Sequence, residues 1–104
     1  MDRLGMNHYL VLQHLAEVGE TYGLELAKGV GLHSGTAYPL LARLEERGLI
    51  VGRWEEIDEH AAGRRRRRYW RITDQGRSAM TATAARLRLS QMVEDGRTSG
   101  LPGY

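Results

Sequence analysis

Gly63-Arg64-Arg65-Arg66-Arg67-Arg68-Tyr69-Trp70-Arg71-Ile72-Thr73 places five consecutive arginines directly ahead of a short aromatic segment. Five adjacent like charges repel one another unless solvent or a polyanion takes up the field, so such a cluster is most useful when a folded core holds it in place. Alternation sets Arg68, Trp70 and Ile72 on one face and Tyr69 and Arg71 on the other, the period of a strand. A strand is expected over residues 66–72, with Trp70 and Ile72 pointing inward. Upstream, Leu49-Ile50-Val51, extended by Trp54, predicts a partner strand. Residues 57–63, acidic and small, supply the turn, so the arginines sit at the tip of a β-hairpin.

Working outward, Ser34-Gly35-Thr36-Ala37-Tyr38-Pro39-Leu40-Leu41-Ala42-Arg43-Leu44-Glu45-Glu46-Arg47-Gly48 reads as an amphipathic helix opened by Ser34 or Gly35. Leu40, Leu41 and Leu44 form its apolar stripe, and Gly48 ends it. With Gly35 as the cap, Pro39 is the fourth helical residue and forfeits only the bond to the cap carbonyl. An earlier helix is expected over residues 7–18, with Leu10, Val11, Leu15 and Val18 at helical spacing. Thr21 is placed to cap a second helix over residues 22–28, and Gly29 and Gly31 make the break before the third.

A fourth helix is expected from Thr73 to about residue 94. Its apolar positions Ala79, Met80, Ala84, Leu87 and Met92 form a stripe longer than a small core can cover, since about 20 helical residues span roughly 30 Å. The surplus calls for a partner helix, most simply from a second copy, with Met80, Ala84 and Leu87 as the dimerisation residues. The expected fold is therefore mainly α with a small β-hairpin: a winged helix-turn-helix with a C-terminal dimerisation helix. Residues 1–72 form the winged unit, residues 73–95 the dimerisation helix packed on it, and residues 96–104, rich in Gly, Ser, Thr and Pro, a disordered tail.

At 104 residues, 27% charged and 41% hydrophobic, the chain suits one small soluble domain. No apolar run reaches the roughly 18 residues of a membrane span and no signal peptide is visible, so a cytoplasmic, membrane-free protein is expected. There is no cysteine, which excludes disulfides and thiolate metal sites. His8, His14, His33 and His60 lack metal-ligand spacing. Nothing resembles a nucleophile–base pair, a phosphate-cradling loop or paired carboxylates, so neither an enzyme nor a cofactor is expected. The net charge of +2 hides a polarity: residues 1–63 carry −5 and residues 64–104 carry +7. One concentrated basic patch on a nearly neutral chain is the footprint of a nucleic-acid reader.

The order Tyr22-Gly23-Leu24-Glu25-Leu26-Ala27, then residues 35–50, then Trp54-Glu55 and residues 63–77 resembles the PadR family of transcriptional regulators, over about residues 6–90. The resemblance implies a homodimer that binds a near-palindromic operator in double-stranded DNA, as a repressor of nearby genes. In some members a small hydrophobic or aromatic effector releases the DNA. The chain looks like a short form of the family, with one helix after the wing where longer members carry a further helical domain.

In that frame the DNA-binding residues are Ser34, Gly35, Thr36 and Tyr38 at the nose of the third helix, Arg43 further along it, and Arg64, Arg65 and Arg66 at the wing tip. Tyr22 joins them by resemblance, at a position where the family's second helix meets the backbone. Each has a plainer reading: a helix cap with a packed tyrosine at the nose, a solvated Arg43–Glu46 pair, a solvated arginine run, a core tyrosine. Glu55, Glu56, Asp58 and Glu59 read as a solvated acidic segment that screens the arginines. Trp54, Trp70 and the tyrosines line either the core or a small hydrophobic site at the dimer interface. The competing function is a winged-helix adaptor that docks an acidic protein partner. RNA binding is the weakest reading, because an aromatic stacking platform is missing.

Overall fold

In a computed structural model that describes residues 3–98, the elements run α1 (Met6–Val18), β1 (Glu20–Tyr22), α2 (Gly23–Val30), α3 (Ser34–Glu46), β2 (Ile50–Trp54), α4 (Glu59–Ala62), β3 (Arg68–Ile72) and α5 (Asp74–Thr98). The core gathers Val11, Leu12 and Leu15 of α1, Leu26 of α2, Leu41 and Leu44 of α3, and Leu49, Ile50, Trp70 and Ile72 from the sheet side. Fully burying one such side chain contributes about 1.5–3 kcal/mol. Trp70 and Ile72 are the inward pair, as the alternation predicts. On α1 the inward stripe is rotated from the expected one: Leu12 is fully buried, whereas Val18 at the C-terminus is exposed.

The hairpin gains a third strand. The sheet is antiparallel in the order β1-β3-β2, with Thr21 opposite Trp70, and Trp70 in turn opposite Gly52. Thr21, expected as a helix cap, lies buried inside β1 and donates its hydroxyl to Glu25 Oε1 at 3.2 Å. Helix α2 therefore begins at Gly23 with Tyr22 at its cap position. A three-residue strand is too short to show a period of its own, and it exists because β3 offers it an edge.

Helix α3 also opens earlier than the serine and glycine signals place it. The cap is His33, whose ring Nδ1 accepts the Gly35 N–H at 3.0 Å. Pro39 is consequently the sixth helical residue, and the carbonyl left without its usual helical donor is that of Gly35. Between the wing strands the expected open turn contains a short helix, α4, capped by Asp58 Oδ1, which accepts from the N–H groups of His60 and Ala61.

Thr73 caps α5 by accepting the Gly76 N–H at 3.0 Å while donating to the Gly48 carbonyl at 2.8 Å. Gly76 is buried, and a Cβ there would lie 2.0 Å from the Leu49 carbonyl oxygen. Only a glycine lets α5 start this close to β2. Ala79 and Met80 pack on the core, Thr83 is buried with its hydroxyl donating to the Ala79 carbonyl, and the Arg86 guanidinium reaches the Leu4 carbonyl ahead of α1. The helix continues to Thr98, and the rest of the stretch expected as a tail, residues 99–104, lies outside the described residues. No helix among the described residues is long and apolar enough to cross a membrane. Two helices joined by a tight turn, followed by a small sheet with a projecting β2–β3 connection, make this a winged helix-turn-helix, mainly helical as the sequence predicts.

Candidate nucleic-acid interface

The wing is folded around its own acids. Glu55 accepts both guanidinium nitrogens of Arg64, at 2.8 and 3.0 Å, and the Arg67 N–H at 3.1 Å, while its own N–H donates to the Arg67 carbonyl at 2.8 Å. These donors pull the Glu55 carboxyl down from 4.5 to about 2, with the Arg64 hydrogen bonds the largest cause. Glu59 accepts the Arg66 N–H at 2.7 Å, and α4 closes with Gly63 N–H on the Glu59 carbonyl. The acidic segment expected as a solvated screen is thus the brace of the arginine turn.

The guanidiniums of Arg66, Arg67 and Arg68 are sorted by aromatic rings. Arg66 and Arg68 each lie 5.3 Å from the Trp54 ring, and Arg68 also lies 4.9 Å from Trp70. Arg68 Nη2 meets Glu45 Oε2 of α3 at 2.8 Å, tying the base of the wing to that helix. Arg67 lies 4.3 Å above the Tyr22 ring, and Tyr22 meets Tyr69 edge-to-face at 5.7 Å. Such cation–ring contacts are worth about 0.5–1 kcal/mol each at exposed sites, and they hold long side chains in one orientation.

Of the residues singled out in the sequence, the structure sets Tyr22, Tyr38, Arg65 and Arg66 around one hollow. Thr36 and Tyr38 are exposed at the start of α3, with Ser34 half-buried beside them. The Gly35 N–H is engaged by His33, and the Thr36 N–H donates to the His33 carbonyl at 2.9 Å, so the nose presents hydroxyls rather than those two amides. Arg65 and Arg66 are exposed at the wing tip, whereas Arg64 turns back onto Glu55. Tyr22 is half-buried in β1 and seats Arg67. Arg43 is exposed on α3; with Arg47 it lies near His8 of α1, whose imidazole is pushed below its usual range mainly by burial and then by these two cations. The residues that sequence reading did not place are His33, Glu45 and the bracing roles of Glu55 and Glu59. His33 acts locally, on the Gly35 N–H, but histidine is not among the residues that signal a helix cap. Glu45, Glu55 and Glu59 act on arginines that folding brings to them. Among the described residues no group of three or more His, Cys, Asp or Glu could hold a metal ion.

A braced basic wing beside an exposed helix nose is an arrangement found in transcriptional regulators, and residues 11–82 match the Transcriptional regulator PadR-like family. The chain belongs to this family. PadR-like proteins are transcriptional regulators rather than enzymes. The chain is 40% identical over 76 residues to the transcriptional regulator Rv3488 of Mycobacterium tuberculosis (strain ATCC 25618 / H37Rv), a match covering 68% of this chain. That match takes in 65% of Rv3488, just under two thirds of its length. Among solved structures it is similar to a PadR family regulator from hypervirulent Clostridium difficile R20291, with 27% identity and a TM-score of 0.75 over 90% of this chain and 99% of that one. A PadR family regulator from Eggerthella lenta DSM 2243 gives 28% identity and a TM-score of 0.67 over 86% and 81%. The PadR-like fold is therefore shared along almost the whole described chain.

Proposed function

We propose that the chain is a dimeric, sequence-specific DNA-binding regulator that represses transcription in the cytoplasm from a near-palindromic operator. The observation that carries this reading is the bracing of the wing by its own acids. Glu55 and Glu59 fix the turn, which leaves Arg65 and Arg66 exposed and lining the same hollow as Tyr38 of α3. A cationic loop already held in shape loses little conformational freedom on meeting a phosphate backbone. The nose of α3 reads the major groove through Ser34, Thr36 and Tyr38, with Gly35 keeping that turn narrow and Arg43 on the flanking backbone. Arg65 and Arg66 engage phosphates or the minor groove, Arg64 is their strut, and Tyr22 sets the height of Arg67. Helix α5 pairs with its copy, and a small hydrophobic or aromatic effector releases the DNA.

The test is fluorescence anisotropy on a duplex from upstream of the gene, beside an unrelated duplex, at two salt concentrations. A preference on the order of 10³ that survives moderate salt is expected for a specific regulator. Arg65→Ala with Arg66→Ala weakens binding to both duplexes and lowers the salt slope by about 2, one for each arginine withdrawn from a phosphate. Thr36→Ala or Tyr38→Ala instead erodes the preference for the upstream duplex. Equal weakening on both duplexes from both kinds of variant would sink this division of labour.

A further inference from the structure

Between the start of α2, the nose of α3 and the base of the wing lies a cavity of about 680 Å³. This is within the roughly 300–1,000 Å³ of small-molecule sites. Leu24, Tyr38, Trp54 and Trp70 line it, with the arginines of residues 65–68, and no carboxylate does. Tyr38 reaches the wall because residue 23 is glycine: a Cβ there would lie 2.6 Å from the ring. Leu24, Tyr38 and Trp54 are 53%, 48% and 52% exposed. Phosphate contact requires cations and hydrogen-bond donors, and does not explain an apolar hollow set among them.

The charges narrow the ligand. Of the arginines at this site, Arg68 is neutralised by Glu45, and its neighbour Arg64 by Glu55. Among the described residues no carboxylate pairs with the guanidiniums of Arg65, Arg66 or Arg67, and the last two are steadied by the rings of Trp54 and Tyr22. An uncharged aromatic ligand would bring no counter-charge to these three cations, and a single carboxylate would offset one of them. A flat ring stacked on Trp54 and Tyr38, carrying a group with more than one negative charge, satisfies both the walls and the rim.

We propose that this cavity binds a free nucleotide, a planar heteroaromatic base carrying phosphate, and that bound nucleotide and duplex DNA exclude each other. The first half stands on the cavity alone. The second rests on the DNA-binding reading of this face, because the same arginines would be taken from the backbone.

Both tryptophans of the chain line the cavity, so tryptophan emission excited at 295 nm reports its occupancy without a label. ADP, adenosine and inorganic pyrophosphate are titrated in turn, then a short single-stranded oligonucleotide. Saturable quenching by ADP is expected, with an affinity at least about tenfold above that of adenosine or pyrophosphate, because only ADP meets both ring and charge demands. Leu24→Asp places a carboxylate at the mouth and should weaken ADP about tenfold or more by charge repulsion. Aspartate suits the first turn of α2, so the variant keeps its fold, as circular dichroism will verify. Pyrophosphate matching ADP, adenosine matching ADP, or the oligonucleotide quenching where ADP does not would each overturn the proposal. If ADP binds and leaves duplex affinity unchanged, mutual exclusion is overturned. If ADP binds while the duplex does not bind at all, the cavity assignment stands and the DNA reading falls.

Discussion

Glu55 organises more of the candidate site than any arginine does. It joins Arg64 to the backbone of Arg67 across the wing, and the bonds it accepts hold its carboxyl near 2. A depressed carboxylate stabilises the fold fully above its unfolded value near 4.5 and loses that contribution as pH falls toward about 2. Melting temperatures of the wild type and Glu55→Gln should therefore converge as pH is lowered from 6 toward 2.5. A gap that stays constant over that range would show that the Arg64 pairing adds nothing. Glu45 is a different case. Its bond to Arg68 is partly exposed, so Glu45→Gln should change stability by less than about 1 kcal/mol. The variant should nevertheless lower the preference for the upstream duplex, since the wing loses its tie to α3. Unchanged discrimination in the anisotropy titration would leave that tie without a role in reading DNA.

Among the elements, the start of α5 is the most tightly constrained. Thr73 caps the helix and anchors it to the carbonyl of Gly48, and Gly76 lets the first turn rest on the backbone of Leu49. Gly76→Ala improves helix propensity by about 1 kcal/mol in isolation. Here the added methyl meets a backbone carbonyl oxygen at the entry to β2, which cannot move aside as a side chain can. A net loss of about 2–3 kcal/mol is expected, by the usual cost of overpacking, and urea denaturation will measure it. Stabilisation instead would mean that β2 and α5 can part freely. Strand β1 shows the opposite dependence: it contributes three residues, and its place is set by the free edge of β3.

For the whole molecule, the separation of charge along the chain becomes a set of pairings within the wing. Acids in the first part of the sequence, Glu45, Glu55 and Glu59, are returned by the fold to the arginines of the second. Helix α5 divides likewise. Met80 packs on the chain's own core, and Ala84 and Leu87 are half-buried, whereas Leu89 and Met92 stand 62% and 61% exposed further along. Pairing of two copies through α5 should centre on the exposed part. Leu89→Glu with Met92→Glu is expected to turn a dimer into a monomer in sedimentation velocity, with the thermal stability of the monomer little changed. A dimer that survives the double substitution would place the interface elsewhere.

What the sequence determined by itself is the set of elements long enough to carry a period: α1, α3, the two wing strands, the opening of α5, and the arginine tip between the strands. Period 3.6 and period 2 are local properties, visible as soon as a segment spans two or three repeats. The helix nose with Thr36 and Tyr38, and the exposed Arg65 and Arg66, were legible for the same reason. Tertiary structure alone decided that Thr21 belongs to a strand, that Arg64 faces Glu55 rather than solvent, and that an aromatic hollow lies beneath the wing. Each of these depends on a partner from another element or on an edge that another element leaves open. Their energies come from pairs and enclosures, which appear only once the chain has folded back on itself.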